Sequence, residues 1–294
     1  MLSRVEKNKK ERKKIESTEK KEKTKSILVK IFKVFITTFI VLLAIFISLR
    51  YIANLGIVVR EYSLKYNNLP SSFDGFKIVQ FGDIYYNPYS NDINYYVEKI
   101  NELKPDLVLF SGGLKHKDYN LDDASKEYLI KTLKKIDSTV GKYYVIGNND
   151  DDNSIKILND SGFVSVIDKT EKIYFQDSNP IILRGISSIP NINYENDSNI
   201  FKINLVYEPD LTDSILEYNN PELIFASKSI NGQFRLPYLK GLIKKTGYMK
   251  YNEKEYTISN TKLLITGGLG TNNYPVRLFN HPSINFVRLQ KADN

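Results

Sequence analysis

The chain has 294 residues, no cysteine, and only two histidines, His116 and His281. Without cysteine there are no disulfides and no thiolate metal sites. With two histidines, imidazole donors, which suit zinc, iron and similar metals, are scarce. Most of the chain also lacks net charge. Of 42 basic and 34 acidic residues, the first 33 positions hold 13 and 5, so the remainder carries 29 of each. A nucleic-acid-binding domain would show a basic patch or stripe of its own, and this balance argues against one. No internal repeat or low-complexity linker follows the N-terminal region.

The basic excess sits in residues 1–26, where lysine and glutamate alternate with few apolar residues. That composition suits a disordered segment or a solvated helix. Residues 27–49 follow as a hydrophobic run whose core, 34–49, is uncharged. At 1.5 Å per residue the core spans roughly 24 Å, short of the roughly 30 Å of bilayer hydrocarbon. Lys30 and Lys33 close the gap by snorkelling their ammonium groups to the headgroups. The run predicts a single transmembrane helix, with the basic flank on the cytoplasmic side and the chain beyond it outside the cell membrane. A cleaved signal peptide is the competing reading. The long basic region, and the lack of a small-x-small site after Leu49, favour an uncleaved signal anchor. The tail lysines are expected to engage anionic lipid at the inner surface, at roughly 1 kcal/mol per basic residue close to it.

Residues 55–294 suffice for one α/β domain. Strand-like runs occur at 58–66, 77–81, 107–110, 143–146, 181–186, 203–207, 223–226, 263–266 and 284–289. Between the earlier ones, residues 91–103 and 122–136 carry apolar side chains at helical spacing, with Asp92 and Asp122 as N-terminal caps. Strand and helix alternate in the first half, which argues for a sheet with helices packed on it, and the second half is richer in strands.

Five short motifs lie along this frame: FGDIYYN from Phe81, FSGGLKHK from Phe110, VIGNNDD from Val145, LVYEPD from Leu205 and ASKSINGQFRLP from Ala226. The first three begin at the carboxyl ends of strands, where open α/β sheets place ligand sites. In order, spacing and framing residues the set resembles the calcineurin-like metallophosphoesterases, particularly their membrane-anchored bacterial branch. The resemblance implies two stacked mixed β-sheets flanked by helices. It also implies a two-metal site with ligands in D-x-H, G-D, G-N-H-D, a lone H, and G-H-x-H patterns. Carried over residue by residue, the first Asp is kept as Asp83 and the Asn as Asn148. The His after the first Asp is Tyr85, and the Asp shared by both metals is Gly113. The His of the third motif is Asn149, the lone His is Tyr207, and the last two histidines are Lys228 and Ile230.

A two-metal site clamps oxygens between ions about 3.5–4 Å apart and needs a bridging anion. Gly113 supplies none. Tyr85, Tyr207, Asn149 and Ile230 supply neither imidazole nor carboxylate, and an ammonium at Lys228 repels a neighbouring cation. Lys228 has two readings: its charge replaces a metal charge beside Asp83, or it is a solvated surface lysine. His116 and Asp150 are alternative donors for a rebuilt manganese, iron or zinc site. Against that, the run Asp150, Asp151, Asp152 also reads as a helix N-terminus favoured by the helix dipole. His281 reads as a surface-loop residue, and Gly267, Gly268 and Gly270 as a tight turn.

The expectation is therefore a pseudoenzyme without a metal cofactor. It would bind an envelope protein or a phosphate-containing ligand in a cleft lined by Asp83, Tyr85, Gly113, Asn148, Asn149, Tyr207, Lys228, Ile230 and Arg235. The alternative is an active metal-dependent phosphohydrolase of lipid-linked or extracellular phosphate esters. A third reading makes the domain structural and gives the signalling role to the basic tail.

Overall fold

The computed structural model describes residues 4–54, 56–87, 92–187, 199–230, 250–271, 277 and 280–292. The chain divides into two compact units, Met1–Tyr51 and Ile52–Asn294. The first is formed by helix α1, Arg4–Asn54. Residues 4–26 are thus helical, the second of the two forms expected. Within Arg12–Ser48 of α1 lies a stretch long and apolar enough to cross a membrane. Its apolar side chains are exposed on every side, Phe35 at 67% and Val34 at 66% among them, so no protein core accounts for their hydrophobicity.

The second unit contains twelve strands among the described residues: β1 (Val58–Tyr66), β2 (Lys77–Phe81), β3 (Leu107–Phe110), β4 (Gly141–Tyr144), β5 (Val164–Ser165), β6 (Lys169–Ile173), β7 (Ile181–Ile186), β8 (Lys202–Val206), β9 (Leu223–Ala226), β10 (Glu255–Ile258), β11 (Thr261–Ile265) and β12 (Ser283–Lys291). Its helices are α2 (Ile93–Glu102), α3 (Asp123–Leu133), α4 (Asp152–Asp160) and α5 (Thr212–Tyr218). One six-stranded sheet has the order β1-β12-β2-β3-β4-β5, the other β10-β11-β9-β8-β7-β6. Both are mixed: β2, β3, β4 and β5 run parallel while β12 opposes β2, and β7, β8, β9 and β11 run parallel between antiparallel edges β6 and β10.

The sheets stack because the central strands are apolar on both faces. Ile78, Leu107, Leu109 and Val287 of the first sheet form one buried cluster with Leu183, Ile203, Leu205 and Phe225 of the second. The other face of the first sheet presents Val79, Phe81, Val108 and Phe110 to Val97 and Ile100 of α2, Leu129 and Leu133 of α3, and Ile157 and Leu158 of α4. Val206, Ile224 and Leu263 pack against Ile215 of α5 on the far face of the second sheet. Asp92 and Asp122 cap α2 and α3 as expected, accepting from the backbone N–H groups of Asn94 and Ser125. Asp151 does the same for α4, so the Asp run is indeed a helix start.

A buried polar seam crosses the inter-sheet core beneath the motif loops. Gln80 donates to Ser111 Oγ at 2.7 Å and to the Ala226 carbonyl at 3.0 Å, and accepts from Asn285 at 2.6 Å. The Ser111 and Ser227 hydroxyls touch across the sheets. The seam joins β2, β3 and β12 to the end of β9, fixing the height at which three of the five motif segments meet.

The run expected at 143–146 pairs instead as Gly141–Tyr144, because β3 offers its register from Leu107 to Phe110. Val145 then leaves the sheet, its N–H still on the Phe110 carbonyl. Replacing Leu205, wholly buried between the sheets, by alanine should lower stability by about 3 kcal/mol, read as a lower urea midpoint with an unchanged slope.

Candidate functional site: a self-filled cleft

The loops carrying the motifs are bound to one another through the backbone. The N–H groups of Asp83, Tyr85 and Tyr86 donate to the carbonyls of Gly112, Gly113 and Leu114 at 2.8, 2.9 and 2.8 Å. Asp150 locks the neighbouring loop to these. One of its oxygens accepts from the N–H groups of Gly113 (2.8 Å) and Gly147 (2.7 Å), the other from Leu114 (2.8 Å) and Lys115 (3.0 Å). Burial pushes the Asp150 carboxyl up, opposed by four donors that each favour the anion. With its oxygens so occupied, Asp150, the alternative donor read from the sequence, serves as a structural clasp between the two loops.

Tyr85 and Tyr207, at two histidine positions of the metal pattern, meet in the centre. Their hydroxyls are 3.0 Å apart and both side chains are buried. The Tyr207 ring lies against two glycines. A Cβ built on Gly112 would stand 2.9 Å from it, and one on Gly147 2.7 Å. Burial, then the nearby Asp83 and Tyr207, push the Tyr85 phenol well above its ordinary range. It stays protonated and a hydrogen-bonding group.

Asp83 is wholly buried, and neither carboxylate oxygen has a hydrogen-bond partner of ordinary geometry. Burial pushes its carboxyl up to about 7, with the Tyr85 hydroxyl, the Lys228 backbone N–H and the Arg277 charge acting in the opposite sense and Asp150 adding to the rise. Arg277, also wholly buried, donates to the Gly267 carbonyl at 2.7 Å and to the Gly270 carbonyl. The turn it holds wraps Asp83: Gly270 donates to the Asp83 carbonyl at 2.7 Å. Gly268, at φ +67, is hemmed in by Asp83 and Arg277, since a Cβ there would stand 2.8 Å from Asp83 Cβ and 3.4 Å from Arg277 Nη2. The three glycines are thus a tight turn, as expected.

The Lys228 ammonium turns to neither open solvent nor Asp83. It pairs with Glu208 and lies 5.9 Å from the centre of the Tyr207 ring, the Lys228 side chain being 10% exposed and that of Glu208 36%. Both readings made from the sequence give way, because Glu208, one residue beyond Tyr207, is the acid within reach. It is the Lys228 backbone N–H that faces Asp83, and the side-chain cation acting on Asp83 is Arg277. Asn148, exposed, donates to the same Glu208 oxygen at 3.2 Å. Asn149 is half-buried in the turn before α4. Ile230 is buried, its carbonyl accepting from Asn280 at 2.5 Å. His116 Nδ1 accepts from the Asp118 N–H at 3.2 Å, a contact within its own loop. His281 is exposed, and Arg235 lies outside the described residues.

The cleft therefore brings together Asp83, Tyr85, Gly113, Asn148, Tyr207, Lys228 and Ile230. It adds Glu208 and Arg277, which the sequence reading missed. A charged residue inside the apolar run PVRLF was the available signal for Arg277. The backbone still carries a site's strain: Asp83, Tyr85, Lys228 and Ile230 all have positive φ, at 49°, 45°, 61° and 50°.

These residues do not fit two metal ions. Gly113 provides no bridging anion, and a Cβ on it would stand 2.7 Å from Asp83 Oδ1. Tyr207 fills the space over Gly112 and Gly147, and among the described residues no three His, Asp or Glu side chains cluster as a metal set.

A family model for calcineurin-like phosphoesterases matches residues 76–268. The chain is also similar to the uncharacterized metallophosphoesterase YkuE of Bacillus subtilis (strain 168), 26% identical over 260 residues, covering 83% of this chain and 89% of that protein.

Three outcomes follow from the site. Restoring an acid with Gly113→Asp should lower the melting temperature without conferring metal binding, because φ +79 and the Asp83 carboxylate oppose a side chain there; calorimetry with manganese checks both. Asp150→Ala strands four backbone donors and should cost on the order of 3 kcal/mol, measured by urea unfolding. Asp83 binds its proton more tightly folded than unfolded, so its contribution is fully present below about pH 4 and is lost as pH rises through about 7. Asp83→Asn should match the native chain's melting temperature near pH 4, exceed it increasingly up to about pH 7 and level off above that.

Proposed function

The chain belongs to the calcineurin-like phosphoesterase family, and we propose that it is a member that has given up metal-dependent hydrolysis and works by binding. The observation that carries this reading is the Tyr85–Tyr207 contact, with the Tyr207 ring seated over Gly112 and Gly147. Two metal-ligand positions are occupied by side chains that satisfy each other. A third, Lys228, is satisfied by Glu208, and the bridging position has no side chain. Hydrolysis by this fold needs an activated water held between ions, and the remaining Asp83 and Asn148 do not make a site for one.

The domain is proposed to stand outside the cell membrane on α1, an uncleaved signal anchor with its N-terminus in the cytoplasm. The apolar run in α1 and the basic residues that precede it support that placement. The occupant of the cleft mouth would be an envelope protein or a phosphate-containing ligand, meeting Asn148, Glu208 and Lys228. Arg235 is a further candidate contact by its place in the last motif.

The test is metal content and phosphodiesterase activity of the purified chain after incubation with manganese, iron or zinc, beside Asp83→Ala/Asn148→Ala. Absence of stoichiometric metal, with activity no higher than in the variant, is the expected result. Tight metal with turnover lost in the variant would establish a rebuilt centre and end the pseudoenzyme reading.

A further inference from the structure

The tail of α1 is sorted by charge around its circumference. At about 100° per residue, Lys9, Lys13, Lys14, Lys20, Lys21 and Lys25 fall in one half of the helix with Ser17 and Thr24. Glu16, Glu19 and Glu22 fall in the other half, with Arg12 and Lys23. All of these residues are exposed, and no ion pair within α1 is recorded among the described residues. Glu16 and Lys20, and Glu19 and Lys23, stand at i,i+4 spacing and support the helix itself, but they leave the lysine half without an acid from Lys13 to Lys25.

We propose that the lysine half of the tail is a docking face for the anionic headgroups of the membrane that α1 crosses. This rests on the anchored reading given above. Two features single out lipid. The face is joined directly to the apolar run, so an anionic leaflet is within reach of every copy of the chain. It also contains no acid over the stretch from Lys13 to Lys25, so it can approach a negative surface without a repulsive contact.

The segregation also says how the tail lies. On an unbent, upright helix Lys13 and Lys14 stand roughly 25 Å from Lys30. That is beyond the interfacial layer and a Debye length of about 8 Å, where a leaflet's charge is screened. Yet Lys13 and Lys14 share the half that holds Lys20, Lys21 and Lys25. The alignment acts at a membrane if the tail lies along the surface, so docking would require α1, continuous from Arg4 to Asn54, to bend between Ser26 and Lys33.

The absence of cysteine allows a single label. Full-length chain carrying Ser17→Cys with an environment-sensitive fluorophore would be assembled into nanodiscs of phosphatidylcholine alone, or of phosphatidylcholine mixed with phosphatidylglycerol. The expected result is a blue shift in the mixed discs only. It should be lost at high salt and in Lys13→Gln/Lys14→Gln, be kept in Arg12→Gln/Lys23→Gln, and be absent for a label at Glu19→Cys. Equal emission in both discs, or a shift that survives Lys13→Gln/Lys14→Gln, would overturn the proposal. So would a shift produced by soluble polyglutamate and not by the mixed discs, which would assign the face to an acidic macromolecule. A chain that enters neither disc overturns the anchoring itself, whereas one that enters and shows no shift overturns the lipid face alone.

Discussion

The site depends on one carboxylate. Asp150 takes four backbone N–H groups from two loops that are distant in sequence, and so sets where Gly113, Leu114 and Lys115 stand relative to Gly147. Loop backbones cannot leave such donors buried without cost. Satisfying them with a single anion fixes both loops at once. The carbonyls on the far side of the same segment hold Asp83, Tyr85 and Tyr86. The cradle is therefore held by hydrogen bonds within the chain.

Within that cradle the substituted positions come as complementary groups. A tyrosine in place of one histidine meets a tyrosine in place of another, and a lysine in place of a third meets the glutamate next to one of those tyrosines. A site that had merely lost ligands would leave buried polar atoms stranded at each of them, at a cost of roughly 1–3 kcal/mol apiece. Among the described residues none of the substituted side chains strands a buried polar atom; the stranded atoms of the motif loops and the seam beneath belong to Asp83, Asp210, Arg277 and Asn285. At Asp83 the wrapping turn of Gly267, Gly268 and Gly270 brings a buried cation near a buried acid without a direct pair. Positive φ at Asp83, Tyr85, Lys228 and Ile230 persists although the metal pattern is gone. That strain is carried by the interlocked loops.

Much of the fold was legible because its signals are local. The central strands β2, β3, β7 and β9 are short apolar runs, and Asp92, Asp122 and Asp151 announce helix starts by position alone. Edge strands β6 and β10, with KTEKI and EYTI, escaped because half-exposed, charged edges carry no apolar run. Motif order fixed which residues converge. Their directions did not follow from it: whether Lys228 meets Asp83 or Glu208 depends on a backbone in the left-handed region and on a partner twenty residues away. Arg277 was hidden for a similar reason, since its partners are carbonyls of a turn, which leave no trace in side-chain patterns.

The central claim is that side chains, Tyr207 foremost, occupy the space where this family's pattern would place metal ions. Anomalous diffraction from crystals grown with manganese, collected at the manganese edge, addresses it directly. The account predicts ordered density for the Tyr85–Tyr207 contact and no anomalous peak beside Asp83 or Asn148. A peak there, with Tyr207 swung away from Gly112 and Gly147, would contradict it.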